Sequence, residues 1–98
     1  MEKYNTFKKL IGSFIPLEEK IRTIFNDNPN SDFEDRAKLI EENFNKTLAE
    51  DWRNLVKSES VLVNWLEEQY GGYVENFASD GRFDEASGLL EDIENAIP

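Results

Sequence analysis

The chain contains no cysteine and no histidine, and its 98 residues include only one methionine, three prolines and five glycines. Without cysteine there is no disulfide framework, thiol nucleophile, zinc–thiolate site or iron–sulfur cluster. Without histidine the commonest general base and metal ligand near neutral pH is missing. These absences argue against an ordinary hydrolase or metalloenzyme, so the expectation is a non-enzymatic protein with no cofactor and no metal. Basic residues are scarce too: 11 Lys plus Arg stand against 21 Asp plus Glu, a formal charge of −10. Such a chain is repelled by DNA, RNA and anionic membranes, because proteins that bind those polyanions neutralise phosphate with Lys and Arg. Long apolar runs are also lacking. The longest is Phe14 to Leu17, and the segment from Met1 to Ile11 has no continuous apolar stretch of the kind a signal peptide needs. A cytoplasmic protein is expected.

What is present is aromatic and helical. Seven Phe, three Tyr and two Trp supply large units of buried area, which separates this chain from a disordered acidic tail. Its length suits one core, so residues 1–98 are expected to form a single helical domain.

Spacings of three and four recur from end to end, and alternation of period two does not. Tyr4, Phe7, Leu10, Ile11 and Phe14 predict a helix to about Ile15, interrupted at Pro16. Leu17, Ile21, Ile24 and Phe25 predict a second, ended by the turn-forming run Asn26-Asp27-Asn28-Pro29-Asn30. Ser31 with Glu34 has the spacing of a capping box ahead of a third helix carrying Phe33, Ala37, Ile40 and Phe44. Thr47 and Glu50 repeat that spacing, which leaves open whether the helix continues into Trp52, Leu55 and Val56 or restarts. Lys57-Ser58-Glu59-Ser60 reads as a connection. Leu62, Trp65, Leu66, Tyr70, Tyr73 and Phe77 then stay in phase across Gly71-Gly72, predicting a helix that survives both glycines. Ser79-Asp80-Gly81 is a stop and turn, and Phe83, Ala86, Leu90, Ile93 and Ile97 mark the inward face of a last helix before Pro98. The expected fold is all-α: a compact bundle of five or six short helices ending in an acidic antiparallel helical hairpin.

Within the segment Val74 to Leu90, Gly81, Asp84-Glu85-Ala86 and Leu89-Leu90 resemble the inter-helix turn and second helix of tetratricopeptide or pentatricopeptide repeats. Membership would require a second copy about 34 residues away. The upstream positions are Thr47 or Lys46 in place of Gly81, and Trp52 or Asp51 in place of Ala86, so no repeat is present. What is shared is helical-hairpin chemistry: a glycine turn, and a small alanine where two helices pack closely.

The charge is unevenly spread. Residues 1–25 hold Lys3, Lys8, Lys9, Lys20 and Arg22 against Glu2, Glu18 and Glu19, whereas residues 58–98 hold Arg82 alone against ten acids, a net of −9. The expected solvent faces of the last two helices carry Glu67, Glu68, Glu75, Asp84, Glu85, Glu91 and Asp92. Like charges at i,i+4 cost a few tenths of a kcal/mol each, and residues 34–46 avoid that cost by mixing signs. Acidity that serves solubility alone needs no such segregation. Rows of carboxylates on a rigid helix can stand in for phosphates before a basic groove.

Other constellations carry less. Aligning Gly81 with the central glycine of an EF-hand loop places Ala78 and Ser87 at ligand positions, so the calcium pattern fails. Glu67-Glu68 and Asp84-Glu85 have no nucleophile or phosphate cradle beside them. Trp52 and Trp65 suit core anchors, while Tyr70 and Tyr73 around the double glycine suit either an adaptable contact surface or a kinked buried helix.

The function expected on these grounds is protein binding. Its most specific form is an inhibitor or immunity-type antagonist whose carboxylate-rich C-terminal surface occludes the basic, nucleic-acid-facing groove of a nuclease or DNA-binding protein, with Glu67, Glu68, Glu75, Asp84, Glu85, Glu91, Asp92, Tyr70 and Tyr73 as partner-binding residues. Phage counter-defence and toxin-immunity proteins are often small, acidic and single-domain, and the chain resembles them in those gross respects. The alternative is a non-catalytic adaptor or structural domain, a self-associating homodimer being one form of it, whose acidity serves only solubility.

Overall fold

Phe7, Ile11 and Phe14 lie on one side of the first helix, and burial of that side fixes the helix against the rest of the chain. The computed structural model describes residues 2–96, and the secondary structure among them is helical, with no strand. Helix α1 spans Glu2–Phe14. Pro16 follows within one 3-10 turn, Ile15–Leu17, and α2 spans Glu18–Asn26. Proline is tolerated there because the first amides of a helix have no intrahelical acceptor in any case. Helices α3 (Phe33–Asn43), α4 (Lys46–Tyr70) and α5 (Phe83–Ala96) complete the described chain. The expected all-α architecture holds, with one long helix in place of two short ones. No helix among the described residues is long and apolar enough to cross a membrane.

The core is aromatic at its centre. Trp52 stacks on Phe33 at 5.0 Å between centroids and meets Phe25 edge-on at 5.7 Å, while Phe14 packs on Phe83 at 5.0 Å. Helix α3 folds back on α4, so that Arg53 reaches Glu34 at 3.1 Å. Helix α1 runs antiparallel to α5: the Tyr4 hydroxyl donates to Glu94 near the end of α5, and Phe14 meets Phe83 at its start.

Several boundaries differ from expectation for identifiable reasons. The cap of α3 is Asp32, not Ser31. Its carboxylate accepts from the Asp35 amide at 2.8 Å, and the Asp35 carboxylate accepts in return from the Asp32 amide at 3.2 Å. The chain does break before Thr47, where the Asn45 side chain caps α4 by accepting from the Leu48 amide at 2.8 Å. No connection exists at residues 57–60. Ser58 and Glu59 are buried in the middle of α4, and the Ser58 hydroxyl donates to the Leu55 carbonyl at 2.9 Å.

The largest correction concerns Gly71-Gly72. Helix α4 stops at Tyr70 because Gly71 adopts a left-handed φ of 69° and its amide closes on the Glu67 carbonyl at 2.7 Å. Residues 71–77 are therefore not helical, and Tyr73 and Phe77 lie outside any helix. This segment travels back along α4, bringing Phe77 and Ala78 beside Glu59 and Trp52. Helix α5 then starts, and Asp92 and Asn95 near its end share a groove with Leu66 and Tyr70 near the end of α4. Helices α4 and α5 thus run in the same sense with a crossover between them, and the expected antiparallel hairpin is replaced by the antiparallel pair α1 and α5. On α5 it is Leu89 that is buried, with Leu90 half-buried. Ile97 lies outside the described residues.

Gly81 ends the crossover with φ 77°, and a Cβ there would meet the Arg22 side chain at 3.2 Å and Ile21 and Phe25 at 3.4 Å. Only glycine suits both the dihedral and the approach of α2. Gly12 and Gly88 are different: both are helical and exposed, neither has a positive φ, and a Cβ would meet nothing within 4 Å. Replacing either with alanine is expected to stabilise the fold by about 0.5–1 kcal/mol. Thermal melts of both variants check this, and an unchanged or lower Tm would contradict it.

Candidate protein-binding surface

The surface that carries the acidic residues is built by the end of α4, the crossover and the outer face of α5. Its placement depends on a cluster of polar contacts beneath the crossover. Glu59 accepts from the amides of Phe77 and Ala78, each at 3.1 Å, and Trp52 donates its indole N–H to the Ala78 carbonyl at 3.1 Å. Arg36 donates to the Ser79 carbonyl and pairs with Asp80 at 3.1 Å, its guanidinium lying over the Phe25 ring. The crossover is held by side chains of α3 and α4 acting on its backbone.

Glu59 is 1% exposed and has no cationic partner among the described residues. Desolvation pushes its carboxyl above the ordinary range, the Ala78 and Phe77 amides pull it back, and nearby Asp80 adds to the upward shift. In sequence, Glu59 sits in the polar run Lys57 to Ser60 that reads as a connection. The available signal was phase: Leu55, Glu59, Leu62 and Leu66 share one helical stripe, so the carboxylate lies on the buried face.

The expected partner-binding residues fall into two groups. Around Arg82, Glu85 pairs at 2.5 Å and Glu75 at 3.8 Å, while the guanidinium covers the Phe77 ring at 4.7 Å. Those two acids are partly neutralised. Asp84 is exposed in the first turn of α5, and its amide is capped at 2.8 Å by Glu18 from the start of α2. Glu18 was not among the residues expected here, and the 66 positions between donor and acceptor explain why no local pattern reveals it.

The second group lies where α4 and α5 end. Tyr70 and Tyr73 are 65% and 77% exposed, so they do not form a kinked buried helix and both rings stand at the surface. Glu67 accepts from the Val74 amide at 3.3 Å and positions the crossover at its outset. Glu68, Glu91 and Asp92 are exposed and have no ion-pair partner among the described residues. Leu66, Tyr70, Val74, Asp92 and Asn95 line a groove of about 290 Å³. Val74 and Asn95 had no signature in the sequence, because only the crossover path brings them together.

Among the described residues no three acidic side chains come together to hold a metal ion. Comparison with protein-family models, with curated proteins and with solved structures returns no match.

Proposed function

We propose that the chain is a small protein-binding protein of the cytoplasm, and specifically an antagonist that occupies the basic, nucleic-acid-facing groove of a nuclease or DNA-binding protein. The observation that carries this reading is the segregation of exposed carboxylates. Glu68, Asp84, Glu91 and Asp92 have no ion-pair partner among the described residues, and Arg82, the one cation of residues 58–98, is already engaged by Glu75 and Glu85. Helix α5 presents Asp84 and Glu91 about two turns apart on one outward face, a rigid anionic row. A basic groove responds to the sign and spacing of such a row. Association would be fast and steeply salt-dependent.

The test uses immobilised protein as bait in a low-salt lysate of its source cells, beside a Glu68→Lys, Glu91→Lys, Asp92→Lys triple variant. The expected outcome is a nucleic-acid-binding protein that releases at high salt, is not retained by the variant, and loses its own DNA or RNA binding when the chain is added. Partners that resist salt and bind the variant equally well would overturn the proposal in favour of an adaptor. Circular dichroism confirms that the variant keeps its helices.

A further inference from the structure

The groove at the joint ends of α4 and α5 combines features that the acidic face alone does not. Its walls are Leu66 and Val74, apolar and contributed by the core-facing side of α4 and by the crossover. Tyr70 presents a mostly exposed ring at its edge, and Asp92 and Asn95 supply a carboxylate and an amide on the α5 side. At about 290 Å³ the groove is at the lower limit of pockets that enclose whole small ligands, a size suited to one long side chain. Acidic side chains adjoin it. Glu67 lies against Val74 and Glu68 is next in the chain, while Lys8, which sits over Tyr4, belongs to the opposite flank of α5 with Glu94.

An apolar trough with a tyrosine face and a carboxylate at its end complements a side chain with a hydrocarbon stem and a cationic tip. The stem covers what remains exposed of Val74 above the buried Leu66, Asp92 offers the tip a carboxylate, and the tyrosine ring attracts a cation above its face. We infer that this groove receives an arginine or lysine side chain of the protein partner and is the anchor of the interface, with the carboxylates of α5 acting around it. The inference rests on the proposed protein-binding function and assigns the place where binding energy concentrates. Aromatic and charged anchors in partly enclosed sites dominate interfaces, whereas exposed rim charges contribute mainly to association rate.

The probe is a short arginine-rich helical peptide, titrated at low salt into isotopically labelled protein and followed by amide chemical shifts. Shifts concentrated at Leu66, Tyr70, Val74, Asp92 and Asn95 are expected. Tyr70→Ala and Asp92→Asn should each weaken the peptide at least fivefold, and Asp84→Asn, which removes the same charge from the far end of α5, less than twofold. Equal losses from Asp92→Asn and Asp84→Asn, with shifts spread along α5, would overturn the anchor while leaving an acidic binding face intact. No binding of the peptide at low salt would remove both the anchor and the function on which it rests.

Discussion

Replacing Glu59 with leucine is expected to lower stability by about 2–4 kcal/mol, a fall in Tm on the order of 10–25 °C for a domain of this size. The substitution preserves bulk but leaves the buried Ala78 amide and the half-buried Phe77 amide without their acceptor. An orphaned buried donor costs about 1–3 kcal/mol, and these donors are backbone groups that no apolar packing replaces. Relief of the carboxylate's own desolvation offsets part of the loss, because no cation accompanies it. The same desolvation gives a pH signature. A carboxyl whose folded value is raised binds its proton more tightly in the native state, so its contribution to stability is greatest below the ordinary value of 4.5 and falls as pH rises through the raised one. Wild-type protein should gain stability as pH falls from neutrality toward 4.5, and Glu59→Gln should gain less. Denaturant midpoints for the three proteins at several pH values decide the matter: an undisturbed Glu59→Leu, or identical slopes for wild type and Glu59→Gln, would contradict this role.

The loss from Trp52→Ala is expected to be larger, about 3–5 kcal/mol from packing alone. Trp52 is fully buried and contacts Phe25, Phe33 and the crossover, so truncation opens a cavity at the meeting of α2, α3 and α4. It also removes the donor to the Ala78 carbonyl. Against a total stability of about 5–15 kcal/mol for a small domain, the variant is expected to be partly unfolded at moderate temperature. Trp52→Phe separates the two contributions: most of the ring contact survives, and the missing N–H should cost about 1–2 kcal/mol. Trp65, half-buried near the α4 end, is the comparison, and Trp65→Ala should cost less than Trp52→Ala. Unfolding curves that rank the two alanine variants in the opposite order would refute the assignment of Trp52 as the central packing residue.

Legibility of the chain followed the range of the interactions involved. Helical phase is a local property, and it revealed the buried sides of α1, α2 and α3 through Phe7, Ile11, Ile21, Phe25, Ala37 and Ile40. It misled at two places where polar residues do not mean surface. Ser58 and Glu59 look like a linker, yet one bonds to its own helix and the other to a segment 18 residues away. At Gly71 the phase of Tyr73 and Phe77 continued by coincidence, while the left-handed closure on Glu67 ended the helix. The acidic surface was legible as composition, but the sharing of work among its members was not. Glu18, Glu59, Glu67 and Glu94 satisfy groups of the fold itself. Glu68, Asp84, Glu91 and Asp92 remain available to a partner.

The crossover also sets an order of events in folding. Arg36, Trp52 and Glu59 all belong to the α3–α4 pair, whose contacts are short in sequence and close small loops. Their receptor for Phe77 to Asp80 can be assembled before that segment arrives, whereas the contact of Tyr4 with Glu94 must close 90 residues of chain. Helix α5 and the crossover are then expected to dock last and to open first, which amide hydrogen exchange would show as lower protection there than in α3 and α4. Asp84, Glu91, Asp92 and Tyr73 lie on those two parts while Glu68 and Tyr70 stay on α4, so a partner that touches both would bolt the crossover and α5 to the base beneath them.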